Sequence, residues 1–87
     1  MYRIEWTKKF EKQLEKLEKN VAKQILEYLR NNVDGIKNPR SLGKGLKGNR
    51  KGQWRYRTGD YRIICEIMDD KLIILALEVG NRKDIYL

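Results

Sequence analysis

The chain has 87 residues, 40% hydrophobic and 37% charged, with 20 basic and 12 acidic residues and a formal net charge of +8. That is one domain over residues 1–87 with enough apolar material for a modest core, and no histidine, which removes Ser–His–Asp and Cys–His nucleophiles, histidine acid–base nuclease chemistry and most zinc sites. The single cysteine, Cys65, precludes an intramolecular disulfide and points to a reducing, cytoplasmic setting, while no apolar run reaches the ~18 residues of a membrane span and Met1–Glu5 lack a signal peptide's apolar core. In chain order, Tyr2–Trp6 alternates as a short strand and Thr7 is placed to cap a helix. Phe10, Leu14, Leu17 and Val21 recur at helical spacing, but the next position is Gln24 and the apolar residues move to Ile25 and Leu29. Two packed helices with a break near Asn20 fit better than a coiled-coil seam. Asp34-Gly35 ends the helical region, and Gly43, Gly45, Gly48 and Gly52 punctuate what reads as a flexible basic loop. It matches neither a Walker motif nor GxGxxG. Three strands follow, over Gln53–Thr58, Tyr61–Met68 and Lys71–Val79, joined by turns at Gly59-Asp60 and Asp69-Asp70. The order β-α-α-β-β-β predicts an α+β domain with two N-terminal helices packed on a small antiparallel sheet.

The charge is not spread evenly. Residues 37–62 hold nine bases against one acid, Asp60, so this segment carries the whole net charge and the rest of the chain is neutral. Such a concentration suits a polyanion, nucleic acid first and an acidic protein second, with a solvated basic loop as the plain alternative. With Gly59-Asp60 as a two-residue loop, Thr58 pairs with Tyr61, Arg57 with Arg62 and Arg55 with Ile64. Arg55, Arg57 and Arg62 then share one face, opposite Trp54, Tyr56, Tyr61 and Ile63. Like charges across a strand pair destabilise a sheet unless an anion lies between them, and only Asp60 and Glu66 lie close in sequence. Lys44, Lys47, Arg50, Lys51 and Arg57 are the candidate RNA-binding residues around that face. In the tail, Arg82 and Tyr86 follow four apart on a short strand or a single helical turn. That pairing supplies a guanidinium for phosphate and a ring for stacking on an unpaired base, although Tyr86 equally suits a place in the core. Cys65 reads as a core residue, not a nucleophile.

The stretch 46–64, with Trp54-Arg55-Tyr56-Arg57-x-Gly59-Asp60-Tyr61-Arg62, together with Gly80-x-Arg82-x-x-x-Tyr86, resembles the RelE family of toxin–antitoxin toxins within the RelE/ParE superfamily. The likeness extends over nearly the whole chain. It implies a metal-free, cofactor-free ribonuclease that cuts mRNA in the ribosomal A site and is held inactive by an antitoxin. By motif, Arg62 and Arg82 match the family's catalytic arginines and Tyr86 its C-terminal tyrosine, and Arg55 falls where a basic catalytic residue is usual. Gln53 departs from the pattern, standing where well-known members have a lysine thought to be the general base, and Asn81 replaces a basic residue or histidine. Arginines stay protonated and suit charge stabilisation, so the proton acceptor is sought among lysines, with Lys51 and Lys47 nearest. The rivals are a ParE-like toxin directed at DNA gyrase and a non-catalytic nucleic-acid-binding module. The expected partners are an acidic, partly disordered antitoxin, the ribosome and mRNA, with no membrane.

Overall fold

Thr7 caps as its position predicts. Its Oγ1 accepts from the Phe10 amide at 3.1 Å and starts a helix, α1, over Lys8–Glu15 in the computed structural model, which describes residues 1–85. The last turn tightens, with the Lys16 and Leu17 amides donating to Gln13 and Leu14, and Glu18 is extended before α2 begins at Lys19. The break therefore falls at 16–18, earlier than Asn20, because that kink lets Leu14, Leu17 and Val21 all pack on the core. Helix α2 runs Lys19–Tyr28 and continues as one π-helical turn, Leu29–Val33, that buries both of its end residues. Asp34-Gly35 closes the helical region, with Gly35 at φ +83.

The sheet has five strands: β1 (Arg3–Trp6), β2 (Lys44–Gly45), β3 (Trp54–Thr58), β4 (Tyr61–Met68) and β5 (Ile73–Asn81), in the spatial order β1-β5-β4-β3-β2. A single helical turn, α3 (Arg82–Ile85), follows. From β2 to β5 every pair is antiparallel, and for β3–β4 and β4–β5 the hairpin signals predict it. The first strand makes the sheet mixed, since β1 runs parallel to β5 from Arg3 opposite Ile73 to Trp6 opposite Ala76. The short β2 inside the basic segment has no sequence signal of its own. Phe10, Ile25 and Val33 from the helical layer meet Tyr56, Ile63, Ile74 and Val79 from the sheet to form the core. Cys65 lies fully buried among them, and burial pushes its thiol pKa up, which keeps it protonated and inert. No helix among the described residues is long and apolar enough to cross a membrane.

One irregularity matters for the site. Ile64 pairs with Glu78 but Cys65 pairs with Ala76, so Leu77 is passed over in a bulge. Helix α1 takes up the backbone groups this frees. Thr7 Oγ1 donates to the Leu77 carbonyl at 3.1 Å, and Gln13 Oε1 accepts from the Val79 amide at 2.8 Å. The bulge keeps Ala76 and Val79 both in the core and turns Glu78 to the other face.

The first half of the basic segment is anchored, contrary to its reading as a flexible loop. Arg40 donates to both Asp69 oxygens at 3.0 and 2.9 Å, and the Tyr2 hydroxyl donates to Asp69 Oδ1 at 2.6 Å. Tyr56 and Trp54 add bonds to the carbonyls of Pro39 (2.6 Å) and Leu42 (2.7 Å). Arg40 first, then Tyr2, hold the Asp69 carboxyl down to about 2 from an ordinary 3.8. A depressed carboxylate stabilises the fold above its unfolded value and loses that contribution as pH falls through the folded one. Acid unfolding should therefore include an Asp69-dependent loss between about pH 4 and 2. Asp69→Asn should be less stable at pH 7 and flatter through that window, measured by urea midpoints against pH.

Candidate nucleic-acid interface

Strand alternation places Arg55, Arg57 and Arg62 on the face away from the core, and the observed register is the expected one: Thr58 opposite Tyr61, Arg57 opposite Arg62, Arg55 opposite Ile64. Two rows cross the sheet. The first is Lys44, Arg55, Ile64 and Glu78, one residue from each of β2, β3, β4 and β5. The second is Arg57, Arg62 and Gly80. Ile64 is fully buried yet lies outside the main core cluster, so it forms an apolar floor under the arginines. Arg55 and Arg62 are half-buried and Arg57 is exposed. At Gly80 an added Cβ would lie 3.8 Å from the Ile85 Cβ, so α3 packs directly over this glycine. Lys44, Arg55 and Arg57 line a cleft of about 270 Å³ at the β2–β3 side.

The basic loop closes on the same face through Arg50. Its guanidinium donates to Glu78 with Nη1–Oε2 at 3.0 Å and Nη2–Oε1 at 3.4 Å, and Nη1 also donates to Gln53 Oε1 at 3.2 Å. Lys9 from α1 reaches Glu78 Oε1 at 3.6 Å. Arg50 chiefly, and Lys9 after it, lower the Glu78 carboxyl pKa against a burial effect of opposite sign. Arg50 is thus held within the chain, while Lys44, Lys47 and Lys51 around it are exposed. Lys47 caps the short helical turn Gly48–Arg50 and Lys51 follows it, so one turn points an arginine inward between exposed lysines.

Arg82 opens α3, is exposed, and donates its amide to the Asp60 carbonyl at 2.9 Å. This sets it beside the β3–β4 turn, two residues past Gly80 and therefore close along the chain to the position opposite Arg62. Tyr86 lies outside the described residues. The functional group that sequence reasoning passed over is Glu78. Its signal was present as the one acid in the apolar run of β5, but nothing local in sequence connects it to Arg50, 28 residues away.

Comparison with known proteins concerns the chain and its fold as a whole. The family model described as the ParE toxin of the type II toxin–antitoxin system parDE matches residues 4–86. Toxin RelG of Mycobacterium tuberculosis is 27% identical over 85 residues, covering 98% of this chain and 95% of that protein. The toxin–antitoxin complex RelBE2 from M. tuberculosis contains a chain that superposes with a TM-score of 0.84 at 25% identity, over 95% of this chain and 93% of that one. In the archaeal RelE–RelB complex from Pyrococcus horikoshii the values are 0.69, 26%, 95% and 97%. A five-stranded sheet backed by two helices and a family match across nearly the whole length have one conclusion: this chain belongs to the RelE/ParE superfamily of type II toxins.

Proposed function

We propose that this toxin is a ribosome-dependent mRNA endoribonuclease that cuts in the A site and so stops translation. The observation that carries the reading is the arginine face: Arg55, Arg57 and Arg62 in register on one side of a hairpin, with Arg82 at the end of the neighbouring strand. RNA brings its own nucleophile, the 2′-hydroxyl. In-line attack on the adjacent phosphate expels the 5′-oxygen and leaves a 2′,3′-cyclic phosphate, so the protein's work is alignment, charge stabilisation and proton handling. Arg62 and Arg82 would neutralise the charge that builds on the phosphorane oxygens, and Arg55 would hold the scissile phosphate. Lys44, Lys47, Lys51 and Arg57 would carry flanking phosphates, and Tyr86 would stack on a base. This scheme draws its positive charge from arginines and lysines and calls on no metal or cofactor.

An antitoxin partner follows from the same charge. RelB is the antitoxin named in the complexes of the M. tuberculosis and P. horikoshii relatives, and a +8 protein acting in the cytoplasm suits an acidic segment that orders on binding. The ParE description of the matching family model favours a second reading, inhibition of DNA gyrase by protein contact. Primer-extension mapping of an mRNA with and without programmed ribosomes separates the two. The expected result is cuts only with ribosomes, at A-site codons, with cyclic-phosphate ends. Intact mRNA together with a gyrase supercoiling defect would replace this reading with the second. Intact mRNA with no gyrase defect, from folded toxin that binds RNA, would leave a binding module.

A further inference from the structure

The scheme above names charge-stabilising groups but no proton acceptor. Arginine stays charged, and Gln53, at the position where the family resemblance expects a basic residue, has an amide that takes no proton near neutral pH. A carboxylate stands next to it. Arg50 Nη1 donates at once to Gln53 Oε1 and to Glu78 Oε2, at 3.2 and 3.0 Å, so those two oxygens are within about 6 Å of each other. The Glu78 side chain is 18% exposed, open enough to be reached and enclosed enough to be held. In the β4–β5 register Gly80 is directly opposite Arg62 and Glu78 lies two residues earlier on the same face. Such diagonal neighbours are roughly 7–8 Å apart at the backbone and within reach of long side chains, so the Arg62 guanidinium and the Glu78 carboxylate can converge on one phosphodiester.

We propose that Glu78 is the group that takes the proton from the attacking 2′-hydroxyl, in place of the base that Gln53 cannot provide. This rests on the ribonuclease reading and supplies its missing step. The charged groups around Glu78 are Arg50 from the basic loop, Lys9 from α1, and, across the same sheet face, Arg55 from β3 and Arg62 from β4. With Arg50 and Lys9 in place the carboxyl is ionised but a weak base. A substrate phosphate presents Arg50 with the same two-oxygen geometry as the carboxylate. When Arg50 moves to the phosphate, Glu78 loses its main partner and becomes more basic at the moment a proton must leave the 2′-oxygen. The 2′-O–H bond breaks and its proton passes to a Glu78 oxygen while the 2′-oxygen bonds to phosphorus. The P–O5′ bond breaks, its electron pair leaves with the 5′-oxygen, and that oxygen takes a proton from water. Glu78 then returns its proton to solvent.

The opposing view is that Glu78 only holds Arg50 and the basic loop in place. Single-turnover cleavage of mRNA on programmed ribosomes, run as a pH series, separates them for wild type, Glu78→Gln and Glu78→Asp. Glutamine keeps an oxygen for Arg50 and so preserves the loop contact. The expected result for Glu78→Gln is a rate lowered by ~10²–10⁴, ribosome affinity within a few-fold of wild type, and loss of the acidic limb of the rate profile; Glu78→Asp should keep that limb at reduced rate. Wild-type cleavage with Glu78→Gln equally fast, or slower with the acidic limb unchanged, overturns the assignment of Glu78 and leaves the ribonuclease reading intact. A wild-type protein that cuts nothing on ribosomes overturns both. Melting curves of the three proteins establish that each compared species is folded.

Discussion

Arg62→Ala and Arg82→Ala are each expected to reduce ribosome-dependent cleavage by ~10²–10³-fold while weakening RNA binding far less. The magnitude is that of removing one donor aimed at charge that develops only in the transition state. Arg62 is half-buried between β3 and β5, above the apolar floor of Ile64, where water screens its charge incompletely and its effect on a phosphorane is correspondingly large. Arg82 is exposed, so more of its contribution comes from position at the start of α3. Substitution by lysine tests that difference. Lysine keeps the charge but not the planar fork, so Arg62→Lys should recover only part of the rate. Ribosome affinity against salt is the companion measurement, because a lost phosphate contact lowers the salt slope by about one without a thousandfold kinetic effect. A rate loss that merely tracks affinity across the series would identify Arg62 and Arg82 as binding residues only.

Gly43→Ala should produce the largest loss of stability among single-methyl additions to this chain. Gly43 sits at φ +77, and a Cβ there would run into the Arg55 carbonyl and lie 2.8 Å from Trp54 Nε1. Those neighbours are backbone and a pinned indole, so neither moves cheaply. To make room the segment must lift from β3, which separates Lys44 from Arg55 and breaks the 2.7 Å bond from Trp54 Nε1 to the Leu42 carbonyl. Strain and the lost bond together suggest about 2–4 kcal/mol, or roughly 10–25 °C of melting temperature for a domain of this size. Gly48 and Gly52 are the controls. Both have positive φ but nothing within 4 Å of an added Cβ, so alanine there should cost only the backbone term, about 1 kcal/mol. Thermal melts followed by circular dichroism compare the three. Equal losses at all three would show that close approach to β3 plays no part.

Local rules carried the hairpin. A two-residue loop at Gly59-Asp60 leaves one register, so the placement of Arg55, Arg57 and Arg62 on one face was legible before any coordinates, as were the Thr7 cap and the end of the helical region at Asp34-Gly35. What sequence did not carry are contacts between distant residues. The parallel pairing of β1 with β5, the clamp from Arg40 to Asp69 and the closure of Arg50 on Glu78 each join side chains or strands with no shared local pattern. The bulge at Leu77 belongs with them. An apolar run such as Ile73–Val79 reads as continuous strand, and only the supporting bonds from Thr7 and Gln13 reveal where it skips. That skip turns Glu78 toward the arginines, so the placement of this acid was as illegible as the bulge that delivers it.

The pairing of the first strand with the last also governs when this protein can come into being during its own synthesis. Arg3 finds Ile73 only after some seventy intervening residues have been made, and the helices have no complete sheet to pack on until β5 arrives. Contacts of that span are slow to form and cannot begin while the distal partner is still inside the ribosome. Arg62 needs β4 and β5 together, and Arg82 lies beyond β5 altogether. An interrupted message consequently yields a fragment with no assembled arginine face. The order of strands in the sheet thus sets a delay between the start of translation and the assembly of the arginine face.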